Sequence, residues 1–445
     1  MSESVTTSDR RGDRPTTPLP RSALVRISLF WLGLTSIDAV VNSAVQSKIK
    51  FEHLVAPGTE GSSLAIVALL TFIFSVAIQP TVGSISDYAE TRWGRRKPFI
   101  VGGAIFDALF LIGIATSNSL LSIAAFATLL AFSTNVARGP FQGYVPDLVP
   151  EKQVGTASSM VGLFQVVGNV VGFGLSAFAD IEGNVGLAIL AVAAIELVTM
   201  LSVVLRVPKG PSAKPRNGRS WGSIAAETWG TDILRETSYL WLLASRLFIL
   251  MGGAALLNFV KLYLADVHGL DQAGTGAAFI NMLVAATLVS LIAIVPASRL
   301  SDHFGRKPVI FVCTGLGIAG VGLIAIAPSL TFATIGAALF GASQGTFLAV
   351  DWALMTDIIP RASSGRYMGL SNVVTASATT IAVAIGGPVI DALNKSAGIG
   401  AGERVELFLG VGYFIVGALA LMPVREPKRR GPDRLDAQTE PVASA

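Results

Sequence analysis

Gly83-Ser-Ile-Ser-Asp87-Tyr-Ala-Glu-Thr-Arg92-Trp-Gly94-Arg95-Arg96-Lys97-Pro98-Phe-Ile100 is a short polar loop, rich in cations, between two long apolar runs. A reduced copy, Ser298-Arg-Leu-Ser-Asp302-His-Phe-Gly305-Arg306-Lys307-Pro308-Val-Ile310, returns in the second half. Other landmarks repeat with it. Asp147-Leu-Val-Pro150 followed by Gly155 recurs as Asp357-Ile-Ile-Pro360 followed by Gly365, and Pro98 recurs as Pro308; members of each pair stand 210 residues apart. The chain reads as one unit written twice.

A period near half the chain length is too long for a solenoid and fits a two-halved membrane bundle. Composition agrees: 52% of residues are hydrophobic and 14% charged, with a mean hydropathy of +0.63, against about 25% charged in ordinary globular chains. The net charge of +4 comes with no basic-aromatic cluster outside the membrane-flanking loops, so nucleic acid is not expected as a partner. The single cysteine, Cys313, lies in an apolar run, and His53, His268 and His303 are far apart, which argues against thiol or zinc chemistry.

Twelve apolar segments are long enough to span, at about 1.5 Å of rise per residue: residues 24–46, 62–87, 98–117, 120–142, 156–179, 184–205, 239–262, 273–297, 308–327, 331–352, 367–391 and 405–424. The expected fold is therefore an all-α membrane protein of two six-helix bundles. Its units are a disordered tail at 1–22, a first bundle at 23–206, a linker at 207–238, a second bundle at 239–424 and a second tail at 425–445. With both termini in the cytoplasm, 27 of the 33 Lys and Arg fall on that side, and only Lys48, Lys50, Lys395 and Arg404 on the other. The positive-inside rule thus predicts cytoplasmic termini. The linker carries Lys209, Lys214, Arg216 and Arg219 before an expected amphipathic surface helix with Trp221 and Trp229.

The loop residues Gly83, Asp87, Arg92, Gly94, Arg95, Arg96, Asp302, Gly305 and Arg306 are read as a latch. A glycine at a helix end admits a close neighbour, and Asp87 can face a helix N-terminus or pair with arginines across the interface between the halves. Pro98 and Pro308 suit the first turn of a helix, where a missing N–H costs nothing. The plainer reading is that the cations anchor the loop in the cytoplasm.

With these residues the chain resembles the major facilitator superfamily, whose loops between helices 2 and 3 and helices 8 and 9 carry a Gly-x-x-x-Asp…Gly-Arg-Arg signature. The longer spacing from Asp87 to Gly94 looks like the glycoside-pentoside-hexuronide:cation symporters and the sucrose transporters. Asn135, Gly139-Pro140 and Asp147-Leu148 are similar to the helix 4 signature of sucrose transporters, and Pro140-Phe141…Val145-Pro146 to that of melibiose-type permeases. The sucrose-transporter pattern has an acid near position 131 and an arginine near 142, where this chain has Ala131 and Gln142.

Ionisable groups within a span are functional candidates by default. Asp38 lies roughly 21 Å into helix 1, with Asn42 one turn further on the same face. The resemblance to melibiose-type permeases implies a sugar-contacting acid in helix 1. A carboxylate there can accept hydroxyls and can carry a proton. Arg138, where the related permeases hold an acid, is open to three roles: binding an anionic solute, pairing with Asp38 as a proton-responsive switch, or gating. Arg246 and Asp351 sit toward the cytoplasmic ends of helices 7 and 10 and are expected to close an inner gate by ion pairs across the halves. Asn135, Asn258, Gln344 and Trp352 lie on helices that the resemblance places around the cavity, and the Trp352 indole would suit a sugar face. Asp107 in helix 3 is a proton-relay candidate; Glu196 in helix 6 is comparably deep. The second span holds no acid between Ser62 and Ser86, which favours protons over sodium as coupling ion.

The expectation is a plasma-membrane secondary transporter, working as a monomer, that moves a sugar or glycoside by proton symport. No nucleotide-binding Gly-x-x-x-x-Gly-Lys-Ser/Thr, catalytic constellation or cofactor motif is present, so an enzyme is not expected. Three rivals remain: an exporter of amphipathic compounds, a lysolipid carrier, and a solute sensor that does not transport.

Overall fold

The computed structural model describes residues 17–424, except residues 90, 151–152, 210–214, 216–217, 219, 223–236 and 359–363 and the side chains of 352–353, 356–358, 364–370 and 372. Most of the first tail, the second tail, Trp229 with the expected linker helix, and the Trp352 side chain lie outside the described residues. Among the described residues twelve helices are long and apolar enough to cross a membrane. They are α1 Arg21–Phe51, α2 Glu60–Ser86, α3 Lys97–Thr116, α4 Leu120–Leu148, α5 Val154–Ile181, α6 Val185–Arg206, α7 Thr237–His268, α8 Gln272–Phe304, α9 Arg306–Ala325 and α12 Ala401–Leu421, with α10 Leu330–Ile358 and α11 Ser364–Ala397.

Several helices run beyond the apolar limits read from sequence. Residues 273–297 lie within a helix that continues to Phe304 and stops at Gly305, whose φ is +98°. Hydropathy marks the length that lipid can cover, whereas the helix continues until a residue able to take positive φ ends it.

The duplication is visible in the packing. Within the first half α1 packs on α5 and α6, α2 on α4, and α3 on α4 and α6; the second half repeats this as α7 on α11 and α12, α8 on α10, and α9 on α10 and α12. The apolar core centres on Leu34, Ile37, Leu111 and Ile189 in the first half and on Ile249, Leu256, Phe340 and Phe414 in the second, and it continues across the interface through Phe259, Leu262, Val383 and Ile390. Large apolar side chains such as Ile73, Leu121, Leu205 and Ile292 cover the outside, as a lipid-facing surface requires.

The halves meet through α2 with α11, α5 with α8 and α1 with α7. Among the described residues, cross-half polar contacts gather at the end of the bundle away from the chain termini, the far face. Asp391 of α11 accepts hydrogen bonds from the Gly61 and Ser62 amides at 2.9 and 2.7 Å, placing a carboxylate on the N-terminus of α2. Gly61 and Gly387 allow this crossing: a Cβ on either would come within 2.4 Å of the other's backbone. Lys50 of α1 pairs with Asp266 of α7 at 2.6 Å.

Candidate functional site

Helix α1 carries Asp38 to the middle of the bundle. Arg138 of α4 meets it there, donating from Nη2 to Oδ2 at 2.6 Å. The Asp38 side chain is 49% exposed and that of Arg138 19%, so this pair faces open space although both flanking helices are otherwise packed. One turn beyond Asp38, the Asn42 side chain donates to Asn258 of α7, and Asn258 in turn donates to the Ala254 carbonyl at 2.8 Å. These amides link the halves on the far-face side of the Asp38–Arg138 pair. Gln344 of α10 is half-buried beside Gly253 of α7. Asn135 is different: it is buried and donates to the Ala131 carbonyl of its own helix at 2.7 Å.

The second half contains a charge-inverted counterpart. Where the first has an acid on α1 and a cation on α4, the second pairs Arg246 of α7 with Asp351 of α10. Arg246 also donates to Thr375 of α11 at 3.2 Å and lies 6.0 Å from the Phe347 ring. This corrects the expectation of ion pairs across the halves. α7 and α10 belong to one bundle, and the guanidinium finds its acid inside that bundle. Unlike the first pair, this one is nearly dehydrated, at 7% and 5% exposure.

Behind Asp38 and Arg138 lies a buried acid pair. Asp107 of α3 accepts hydrogen bonds from Ser133 and, at 3.0 Å, from Thr134 of α4. Its carboxyl faces that of Glu196 of α6, within electrostatic reach of Arg138. Both acids are fully buried, and neither Glu196 oxygen finds a donor among the described residues.

At the terminal end, the polar loop and the helix 4 signature form one structure. Arg95 Nη2 and Arg96 Nε both reach Asp147 Oδ2 at 2.6 Å, and Arg96 Nη2 reaches Asp87 Oδ1 at 3.1 Å. Arg96 also donates to the Pro140 carbonyl at 3.0 Å, lying across Gly143, where a Cβ would come within 2.0 Å of the guanidinium. Gly139 brings α4 against α2, since a Cβ there would stand 2.4 Å from the Gln79 carbonyl oxygen. Asp87 pairs with arginines of its own half, Arg95 and Arg96, which follow it within the same loop. Arg92 lies outside the cluster, exposed and 5.5 Å from the Trp93 ring. In the second copy Asp302 pairs with Arg306 at 3.3 Å.

Lys97 and Lys307 complete each copy. Lys97 Nζ donates to the Val204 and Val207 carbonyls at the end of α6, both at 2.7 Å. Lys307 does the same for Met422 and Val424 at the end of α12, at 2.5 and 3.0 Å.

One cross-half pair was not anticipated from sequence. Lys261 of α7 meets Asp180 of α5 at 2.5 Å, both at 0% exposure, with Ser47 and Ser176 accepting from the same ammonium at 2.8 and 2.9 Å. A lysine inside an apolar run was the available signal. Among the described residues no cluster of His, Cys, Asp and Glu could hold a metal ion.

The family described as MFS/sugar transport protein matches residues 54–423. Sucrose transport protein SUC4 of Arabidopsis thaliana is 24% identical over 183 residues, 37% of this chain and 36% of that protein. The membrane-associated transporter protein of Mus musculus is 30% identical over 159 residues, 32% of this chain and 30% of that protein. The chain therefore matches only about a third of the length of these curated relatives. Among solved structures, a variant of the nucleoside transporter NupG superposes with a TM-score of 0.69 at 15% identity, covering 91% of this chain and 99% of that one. A D-xylose-proton symporter superposes with a TM-score of 0.67 at 16% identity, covering 91% and 98%. These likenesses show the fold. Because the family match runs from just after α1 through α12, across both repeats of the duplicated bundle, this chain belongs to the MFS/sugar transport protein family and is a multi-pass membrane protein.

Proposed function

We propose that the chain moves a small polar solute, a sugar or glycoside, across the plasma membrane by proton-coupled symport, working as a monomer with both termini in the cytoplasm. The observation that carries this reading is the solvent-facing Asp38–Arg138 pair. It supports the switch role for Arg138 over the other two.

In this scheme each partner limits the other. While Asp38 is ionised it occupies Arg138; once Asp38 takes a proton, the guanidinium donors are released to the hydroxyls of a solute. Asp107 and Glu196 stand behind as a buried acid pair. Two adjacent carboxyls with no cation between them readily share one proton, which gives a proton leaving Asp38 a place to go. Gln344 from the opposite half would complete the solute's polar shell, with Asn42 and Asn258 closing its far side. With Lys261–Asp180, Lys50–Asp266 and Asp391 joining the halves there, the described conformation corresponds to one closed at the far face. Transport alternates it with one in which those contacts part.

The test is uptake of labelled maltose and sucrose by cells expressing the chain, with and without a protonophore, beside Asp38→Asn. Accumulation lost under both treatments supports the reading. Accumulation that persists with the protonophore and the variant refutes proton coupling, and absence of uptake of either sugar refutes the solute class.

A further inference from the structure

The offset that relates Asp147 to Asp357 also relates Glu196 to Glu406, which stand 210 residues apart in the last helix of each half. The surroundings agree as well as the numbering. Glu406 is 1% exposed, and neither of its oxygens has a hydrogen-bond donor among the described residues. Its carboxyl stem is walled by Gly386 of α11 and Phe259 of α7. An acid kept this dry twice over, at equivalent positions in both halves, is not accounted for by packing, because an apolar side chain would fill the same space without the desolvation cost.

Beside Glu406 stands a line of acids. Glu403, one turn earlier on α12, lies within electrostatic reach of it and is itself buried. Its Oε1 accepts from Asn394 Nδ2 at 2.9 Å, while Oε2 lacks a donor. Glu403 touches Asp266 of α7, and Asp266 is held by Lys50 from the other half. The neighbouring cation Arg404 is turned away, donating to the Ala325 carbonyl at 2.5 Å. Tyr413 also lies within electrostatic reach of Glu406. Among the described residues no Lys or Arg pairs with Glu403 or Glu406.

We propose that Glu406, reached through Asp266 and Glu403, is a second proton-binding site, the counterpart in the second half of the Asp107–Glu196 pair. Its ligand is a proton, taken from water onto a carboxylate oxygen and returned by the same path. Access is set by the halves themselves. When α1 and α7 separate at the far face, Lys50 leaves Asp266 and the line of acids opens to that side; when they close, the lysine seals it. The role in transport rests on the proton-coupled reading above, but the existence of the site does not.

Infrared difference spectroscopy of the purified chain in lipid, stepped in pH, tests it directly through the C=O stretch of protonated carboxylic acids. Wild type is expected to show such bands, with one lost in Glu406→Gln, the same one shifted in Glu403→Gln, and a separate one lost in Glu196→Gln. Glu406→Leu serves as a second variant should the glutamine form be unstable. Spectra of both Glu406 variants identical to wild type at every pH would overturn the proposal. So would a wild-type Glu406 band that responds to sodium and not to pH, which would mark a cation site. Asp38→Asn should leave the Glu406 band in place, so loss of sugar coupling and loss of this site are read separately.

Discussion

Replacing Lys261 with methionine removes the ammonium that reaches Asp180 at 2.5 Å in a fully dehydrated setting. Asp180 would keep Ser47 at 3.1 Å and Gln272 at 3.5 Å, too little to solvate a charge. Stranding one member of a buried pair costs about 3–5 kcal/mol. The cost falls on one conformation only: α5 and α7 belong to different halves, and once the far face opens Asp180 meets water. The equilibrium should therefore move toward the far-open form by roughly 10²- to 4 × 10³-fold, at about 1.4 kcal/mol per tenfold. Ala65 sits 4% exposed in the cross-half seam against Gly387, so Ala65→Cys reports opening through its rate of alkylation by a membrane-impermeant maleimide. The native Cys313 is buried and contributes little background. Lys261→Met should accelerate labelling by about that factor until it saturates, and Asp180→Leu added to it should return the rate to the wild-type level or below, because an apolar pair carries no stranded charge. Unchanged labelling in Lys261→Met, or a double variant as open as the single, would refute the reasoning.

Three other outcomes follow from the same geometry. Gly139→Ala places a methyl 2.4 Å from the Gln79 carbonyl and should lower stability by about 1–3 kcal/mol, seen as a lower Tm in a thermal aggregation assay. Asp147→Asn leaves Arg95 and Arg96 with Asp87 alone as acid among the described residues; limited trypsin digestion should then cut the 87–97 loop much faster than in wild type, and equal rates would argue against a latch. Lys97→Met and Lys307→Met each remove two charge-assisted hydrogen bonds to the end of a helix, worth about 1.5–3 kcal/mol apiece before screening. Both should lower Tm, with smaller losses for the arginine substitutions.

Much of the fold is legible because hydropathy and repetition are properties of the chain itself. The polar loop at 83–100, its copy at 298–310 and twelve apolar runs suffice to place two bundles of six. Pairing between helices is a property of the packed form, and there the reading was uneven. Asp38 and Arg138 stand on helices whose adjacency the family resemblance supplied, and they do meet. Arg246 and Asp351 were matched to the wrong side of the interface because nothing in one dimension tells a partner in the same bundle from one across it. Asn135 looked exposed to the cavity by its helix alone, but its amide turns back on Ala131. Glu406 was within reach of the sequence argument, since the 210-residue offset carries Glu196 onto it; it is the second residue of the 405–424 span and so reads as a helix-end acid until its burial is seen.

The two lysine clamps bear on how much the halves need their covalent join. α6 ends where the connecting segment begins, and α12 where the chain runs on past Val424, yet each terminus is tied off by a lysine from the third helix of its own repeat. Among the described residues, that closure comes from within each bundle. A gene broken between codons 210 and 236 and expressed as two polypeptides should therefore yield halves that insert separately and dock into a working pair.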